Sequence, residues 1–246
     1  MRLINIRFIL PILAGLPISL PAQDPTLDQA RHVNLERAAN LPNFVVDEID
    51  KRYTARDRQS GAIRWNYLDT LESEVTVRGI DVSRRWLNNS ERIAGNFWPK
   101  AGGFGAELKP LFSPDCPTAL VPAGHETLNG QSVSVYRFTS PPGGCFGFVY
   151  SSPRKYNAAR RGRVLLDASG SVVQYEEEVY GLPAGFGWLQ RNEIMRWDNV
   201  RIGDESYLLP VSAEFIWRLD SAVLRRVTAE YKNHRHFETA TSITFK

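Results

Sequence analysis

The chain has 246 residues, 43% hydrophobic and 23% charged, with 30 Lys and Arg against 27 Asp and Glu. That length suits one β-rich domain able to bury a core without metal or dense disulfide support, and the composition excludes collagen, coiled coil and wholesale disorder. Setting aside Arg2 and Arg7, which lie in an acid-free leader, leaves 28 bases against 27 acids over residues 23–246, too even a balance for a nucleic-acid binder.

Met1–Arg7 is a short basic head, Phe8–Leu20 an uncharged, mostly apolar run, and Pro21-Ala22 a small-residue cleavage point before Gln23. Basic, apolar, small is the order of a secretory signal peptide, and the apolar run is shorter than the roughly 20 residues a spanning helix needs. The order predicts a signal peptide over 1–22, a single domain over 23–246, and a chain exported to the periplasm or beyond with no stable membrane span. The alternative is an interfacial anchor left in place. No Cys lies near the cleavage point, which argues against a lipid-modified N-terminus.

Thr26 is a candidate cap for a helix over Leu27–Asn40, where Leu27, Ala30, Val33, Leu35 and Ala38 form a modest apolar stripe and Leu41-Pro42 ends it. Period-2 alternation follows. In Ile63–Val77 the residues Ile63, Trp65, Tyr67, Asp69, Leu71, Ser73, Val75 and Val77 share one face, and in Tyr207–Leu219 the residues Tyr207, Leu209, Val211, Ala213, Phe215, Trp217 and Leu219 do. Further strands are expected at Phe44–Thr54, Ile80–Leu87, Ala119–Leu128, Gln131–Thr139, Phe146–Tyr150, Arg163–Asp167, Val172–Tyr180, Leu189–Arg201, Val223–Phe237 and Ser242–Phe245. Tight connections such as Arg78-Gly79, Asn129-Gly130, Ala168-Ser169-Gly170 and Gly203-Asp204 make consecutive strands antiparallel neighbours, hence a meander. Gly95–Pro114 breaks the rhythm and predicts a short helix within Ala106–Phe112.

Cys116 and Cys145 suit an oxidising compartment. Asn129-Gly130 between them is the preferred sequence of a type I′ turn; its register would place Cys116 opposite residue 143, on the same face as Cys145. The pair is either a disulfide at the base of this hairpin or two buried thiols, with Pro117, Pro122, Pro141 and Pro142 able to shift the register.

A meander with one apolar face must cover it. One N-terminal and one short internal helix predict a mainly β fold: a strongly curved antiparallel sheet, a half-open barrel with helices over its concave face. The stretches Leu41–Val46, Asp69–Leu71, Phe104–Leu108, Val200–Pro210 and Asn233–Phe237 resemble a family of secreted bacterial proteins and, through it, the LolA-like half-barrels, the outer-membrane lipoprotein carrier and sorting proteins. That resemblance implies an incomplete barrel with a hydrophobic cavity that shields acyl chains. It brings no catalytic residues.

Chemical motifs are few. There is no G-x-S-x-G, H-E-x-x-H or phosphate loop. Ser152-Pro153-Arg154-Lys155 matches S-x-x-K without the helix start that motif needs. His234 and His236 share a strand face with Glu230 and Lys232, and read as solvent-facing rather than metal-binding. Arg154, Lys155, Arg160, Arg161 and Arg163 read as a solvated loop cluster, with Glu176–Glu178 close behind. Asp69 and Arg84 interrupt apolar faces and are expected to pair in the cup, since an isolated buried charge is costly. Glu193 is the conceivable second acid of a hydrolytic pair.

The expected function is non-catalytic and without cofactor or metal: binding of an apolar or lipid-like ligand, such as a lipoprotein acyl chain, on a concave wall of Trp65, Tyr67, Asp69, Leu71, Arg84, Trp86, Phe215 and Trp217. One alternative is a fully packed envelope module that meets a protein partner through its loops. Another is an enzyme on envelope polymers, which would bring titratable groups with perturbed pKa into one cleft. A closed outer-membrane barrel, suggested by Phe245 near the end, fits the strand charges poorly.

Overall fold

The computed structural model describes residues 26–56, 62–79, 81–88, 104 and 106–237. The expected leader over 1–22, the strand over Ser242–Phe245 and nearly all of Gly95–Gly105 lie outside these residues. Helix α1 spans Leu27–Ala39. Thr26 caps it as expected, its hydroxyl accepting from the Gln29 backbone N–H at 3.1 Å.

Twelve strands follow: β1 (Phe44–Arg56), β2 (Asn66–Arg78), β3 (Asp81–Leu87), β4 (Ala119–Leu128), β5 (Gln131–Ser140), β6 (Val149–Ser151), β7 (Arg154–Tyr156), β8 (Ala159–Leu166), β9 (Val172–Tyr180), β10 (Trp188–Ile202), β11 (Glu205–Leu219) and β12 (Val223–His236). Helix α2 (Leu108–Phe112) precedes β4. Ten strands form one antiparallel sheet in the order β3-β2-β1-β12-β11-β10-β9-β8-β5-β4, and β6-β7 is a separate hairpin.

The sheet is open, with β3 and β4 at its two ends, and the half-open barrel with two helices is the architecture the alternation predicts. The meander holds in two runs, β1-β2-β3 and β8 through β12, joined where β1 pairs with β12. No local turn encodes that joint; it depends on two apolar faces meeting across the length of the chain. Because β3 and β4 occupy opposite ends, the connection between them carries α2 over the concave face. Leu108, Leu111 and Phe112 of α2 are buried in the core with Ala30 of α1, Phe44, Val46, Val75, Phe138 and Tyr175. Each of the Leu, Val and Phe side chains contributes roughly 1.5–3 kcal/mol of apolar burial.

Asn129 and Gly130 have φ of 50° and 80°, the two positive values a type I′ turn requires. The expected register holds from Leu128↔Gln131 to His125↔Ser134, and then a bulge shifts it so that Pro122 faces Tyr136. Cys116 and Cys145 are joined as a disulfide with Cα atoms 5.6 Å apart.

The basic cluster read as a loop is a strand in its most important part. Arg160, Arg161 and Arg163 belong to β8 and lie beside Glu176–Glu178 of β9. Arg161 donates to both oxygens of Glu178, at 2.8 and 2.9 Å, and Arg163 to both of Glu176, at 2.7 and 2.8 Å. Arg154 and Lys155, in the β6-β7 hairpin, and Arg161 on the outer face of β8 are exposed and match the solvated reading, while Arg160 is buried.

Candidate ligand-binding cup

Strand register fixes which side chains meet on the inner face, since cross-strand partners stand about 4.5–5.5 Å apart on the same side of a sheet. One row across the cup runs Leu71, Asp50, Ala229, Ala213, Met195, Tyr175, Val164, Tyr136. The next runs Asp69, Arg52, Val227, Phe215, Glu193, Glu177, Gly162, Phe138, and a third runs Arg225, Trp217, Arg191, Val179, Arg160, Ser140. The wall is therefore apolar with a charged belt through it. Gly162 makes the belt possible: a Cβ there would stand 1.8 Å from the Glu176 carbonyl oxygen and 2.7 Å from the Phe138 ring.

Of the residues expected on this wall, Leu71, Phe215 and Trp217 are inward-facing and buried. Trp86 faces inward opposite Ser73, half-buried at the β3 edge, with the Arg84 guanidinium 5.3 Å from its ring. Asp69 and Arg84 also face inward, but they do not pair with each other. Val75, which Arg84 opposes, is six residues from Asp69 along β2, roughly 20 Å at strand rise. Asp69 instead takes a two-bond contact from Arg52, at 2.6 and 2.7 Å. Arg84 binds Glu48, with its Nε 2.9 Å from Oε2 and its Nη2 on the same oxygen, and its Nε is also 3.1 Å from the Ser73 hydroxyl.

Trp65 and Tyr67 are on the other side. The β1-β2 register passes from Arg52↔Asp69 to Tyr53↔Tyr67, leaving Leu68 as an extra residue. One extra residue exchanges the faces of everything beyond it. Tyr67 therefore meets the outward Tyr53, ring centroids 5.7 Å apart, and the outward Arg226 lies 5.8 Å over the Trp65 ring. His234 is not solvent-facing either: its Nε2 is 3.1 Å from the Pro210 carbonyl and its ring 5.8 Å from Phe44.

Two ionic groups on the inner wall bring residues that the sequence did not single out, Glu48, Asp50 and Arg52 in one and Glu107, Glu177 and Arg191 in the other, beside some that it did. The first is Glu48, Asp50 and Arg52 of β1 with Ser73, Asp69 and Arg84. Their signal is legible in retrospect: they continue, at period two, the buried face begun by Phe44 and Val46. The second surrounds Glu177, which accepts from Arg160 at 2.8 Å, Tyr175 at 2.6 Å and Arg191 at 2.5 Å. Arg191 also lies 3.1 Å from Glu193. Glu107, just before α2, faces this group from above, within electrostatic reach of Glu193, Glu177 and Arg191.

Burial raises the Glu193 carboxyl to about 7 against the pull of Arg191. Burial, reinforced by Glu193, raises Glu107 to about 8. Burial also pushes Glu177 up, but Arg191 and Arg160 outweigh it and hold the group below its ordinary value. Asp50 is well above the usual carboxylate range because it is buried and Glu48 is close. Buried polar atoms with no hydrogen-bond partner include Asp50 Oδ1, Glu107 Oε2, Arg160 Nε and Arg191 Nε. Such atoms are rare inside a folded chain.

On the convex side, an open groove of about 530 Å³ is bordered by Arg137, Arg161, Arg163, Glu176, Glu178 and Asn192. Its Arg161 and Arg163 are already bonded to Glu178 and Glu176, so it is a salt-bridged surface rather than a prepared anion site. Among the described residues, no cluster of three or more His, Cys, Asp or Glu is placed to hold a metal ion, and no helix is long and apolar enough to cross a membrane.

No protein-family model matches the chain, and no curated protein matches it in sequence. Among solved structures it is similar to a putative outer membrane lipoprotein-sorting protein domain from Vibrio parahaemolyticus, with 12% identity over 88% of this chain and 94% of that one and a TM-score of 0.42. It is also similar to a LolA superfamily protein from Nitrosomonas europaea, with 13% identity over 88% and 97% of the two chains and a TM-score of 0.35. The Mycobacterium tuberculosis lipoprotein LppX matches at 12% identity over 85% and 95%, with a TM-score of 0.25. The names of the first two are those of the family that the sequence resembles. At such TM-scores they carry no argument about function.

Proposed function

We propose that the chain, freed of residues 1–22 after export, is a non-catalytic binding protein that holds an apolar or lipid-like ligand between its concave sheet face and its helical cover. The observation that carries this reading is an open, curved sheet whose apolar inner wall is buried beneath helices rather than closed into a barrel. A ten-stranded open sheet presents Leu71, Phe215, Trp217 and their neighbours, and the described cover is one helix of 13 residues and one of five.

Helix α1 buries Ala30 and Asn34 and packs the partly buried Leu27, Leu35 and Ala38 against the core. Polar contacts add to this packing: the Asn34 amide donates to the Gly170 carbonyl at 2.8 Å and its oxygen accepts from Val172 N–H at 3.0 Å, while Arg37 donates to the Val172 carbonyl at 2.9 Å. A short cover held by partly buried apolar side chains and a few hydrogen bonds, each worth on the order of 1 kcal/mol net, is displaceable by a ligand that replaces its apolar contacts. The disulfide supports export to an oxidising compartment.

Native mass spectrometry of the mature chain from a bacterial periplasm, before and after exposure to lipid micelles, tests the reading. A bound or acquired amphiphile at one per chain is the expected result; ligand-free protein that takes up nothing from micelles overturns it. The burial of the inner wall also favours a second reading, a packed envelope module that meets a protein partner on its loops, and ligand-free protein would be the result it predicts.

A further inference from the structure

The β6-β7 hairpin stands outside the main sheet, and so short a two-stranded ribbon holds its shape only when fastened to something larger. Val149 and Tyr156, paired across it, fasten its inner side: Val149 is buried in the core, and the Tyr156 ring lies 6.4 Å from Phe186. The Trp188 indole donates to the Tyr150 carbonyl at 3.4 Å. Just before the hairpin the disulfide holds Cys145, and the Phe146 ring stacks on Phe138 of the inner wall, centroids 6.0 Å apart. Side chains alternate along a strand, so Phe148 and Tyr150 point away from the side that Val149 fastens; they are 49% and 61% exposed. Lys155 is the cross-strand partner of Tyr150, and its ammonium stands 4.9 Å over the Phe148 ring.

The charge of this segment has one sign. Residues 127–166 hold six bases and no acid. Arg160, Arg161 and Arg163 are held by Glu177, Glu178 and Glu176 of β9, whereas Arg154 and Lys155 are exposed and form no ion pair among the described residues. From this exposed aromatic pair beside two cations without acids we infer that the β6-β7 hairpin docks the chain on an anionic lipid surface, with Phe148 and Tyr150 entering the headgroup layer and Arg154 and Lys155 meeting lipid phosphates. Tyrosine rings and long basic side chains suit that layer, which is apolar at one end and wet at the other, and acidic lipid supplies the opposite charge. A hairpin of two three-residue strands falls well short of the roughly 20–30 residues a side of a stable protein interface, a requirement that a lipid surface does not set. The inference goes beyond the ligand of the cup and stands whether the cup is filled or packed.

Co-sedimentation of the mature chain with vesicles of phosphatidylcholine alone, and of phosphatidylcholine with roughly 30% phosphatidylglycerol, tests the assignment. The mixed vesicles are expected to bind at least about tenfold more tightly, with the difference lost near about 0.5 M NaCl. Arg154→Gln and Lys155→Gln should each weaken binding to the mixed vesicles about fivefold, and Phe148→Ser combined with Tyr150→Ser should weaken it at least about tenfold. Arg201→Gln, which removes an exposed cation outside the hairpin, should change nothing. All these side chains lie at the surface, so the melting temperatures are expected to match that of the parent chain. Equal binding to the two kinds of vesicle, or binding that the hairpin substitutions leave unchanged, overturns the assignment. No binding to either overturns it too, in favour of a protein partner on this hairpin. Uptake of monomeric dodecyl maltoside, measured without vesicles, reports on the cup alone, so the failure of either reading is seen separately.

Discussion

Arg191→Met is the sharpest test of the charged belt. The guanidinium bonds Glu177 and lies 3.1 Å from Glu193, whose side chains are 1% and 7% exposed. Methionine keeps most of the side chain's volume and removes its charge, so both glutamates lose their shared cation while remaining out of water. Breaking a buried pair from one side costs about 3–5 kcal/mol. In a domain of this size that lowers Tm by roughly 6–20 °C.

The loss should depend on pH. Glu177 sits below its ordinary value in the parent chain because of Arg191 and Arg160, and Glu193 at about 7; without Arg191 both move up. A carboxyl raised in the folded state binds more protons than in the unfolded chain, so stability falls as pH rises above the unfolded value and levels off past the folded one. Urea denaturation at pH 5 and pH 8 should therefore show the larger deficit at pH 8. Adding Glu177→Gln to the variant should recover part of it. A deficit below about 1 kcal/mol, or one equal at both pH values, would refute the assignment of Arg191 as the cation that keeps the belt ionised.

Glu107→Gln should stabilise the chain above pH 7 and flatten its stability between pH 5 and 8, because the parent carboxyl, raised to about 8 by burial and Glu193, loses stability across that window; chemical denaturation at several pH values checks this. Replacing Cys116 and Cys145 by Ala opens a loop closed at a sequence separation of 29 and should cost about 3–4 kcal/mol in the chain-entropy account, read from the urea midpoint. Gly162→Ala places a methyl against the Glu176 carbonyl and Phe138 and should cost about 3 kcal/mol or more by thermal melting. Asn34→Ala removes the polar clasp between α1 and the β8-β9 turn; hydrogen exchange should accelerate in α1 while the amides of β10 and β11 keep their protection.

Much of the fold was legible because alternation and turns are local. The faces of β11, the Asn129-Gly130 turn and the helix stop at Leu41-Pro42 follow from neighbours in sequence. What failed depended on distance or on one extra residue. Parity placed Trp65 and Tyr67 inside, and the bulge at Leu68 turned them out, an insertion that no residue type announces. Asp69 and Arg84 were read as inward charges that pair with each other, but their partners, Arg52 and Glu48, lie on β1, and no local spacing announces a partner on another strand. The arginines of β8 were misread as a loop although the Ser169-Gly170 turn sets them against Glu176–Glu178. Glu107 gave no signal, since its role depends on a helix carried from one end of the sheet to the other.

An unclosed sheet also exposes the chain to polymerisation, because a bare outer strand is a template on which a second copy can add. The outer strands here are poor templates. β3 has seven residues and carries Asp81, Arg84 and Arg85; β4 is interrupted by Pro122, which lacks an amide donor, and by its irregular step before His125. Fibril growth through either margin is thereby discouraged, and the cup stays unsealed without the molecules stacking edge to edge.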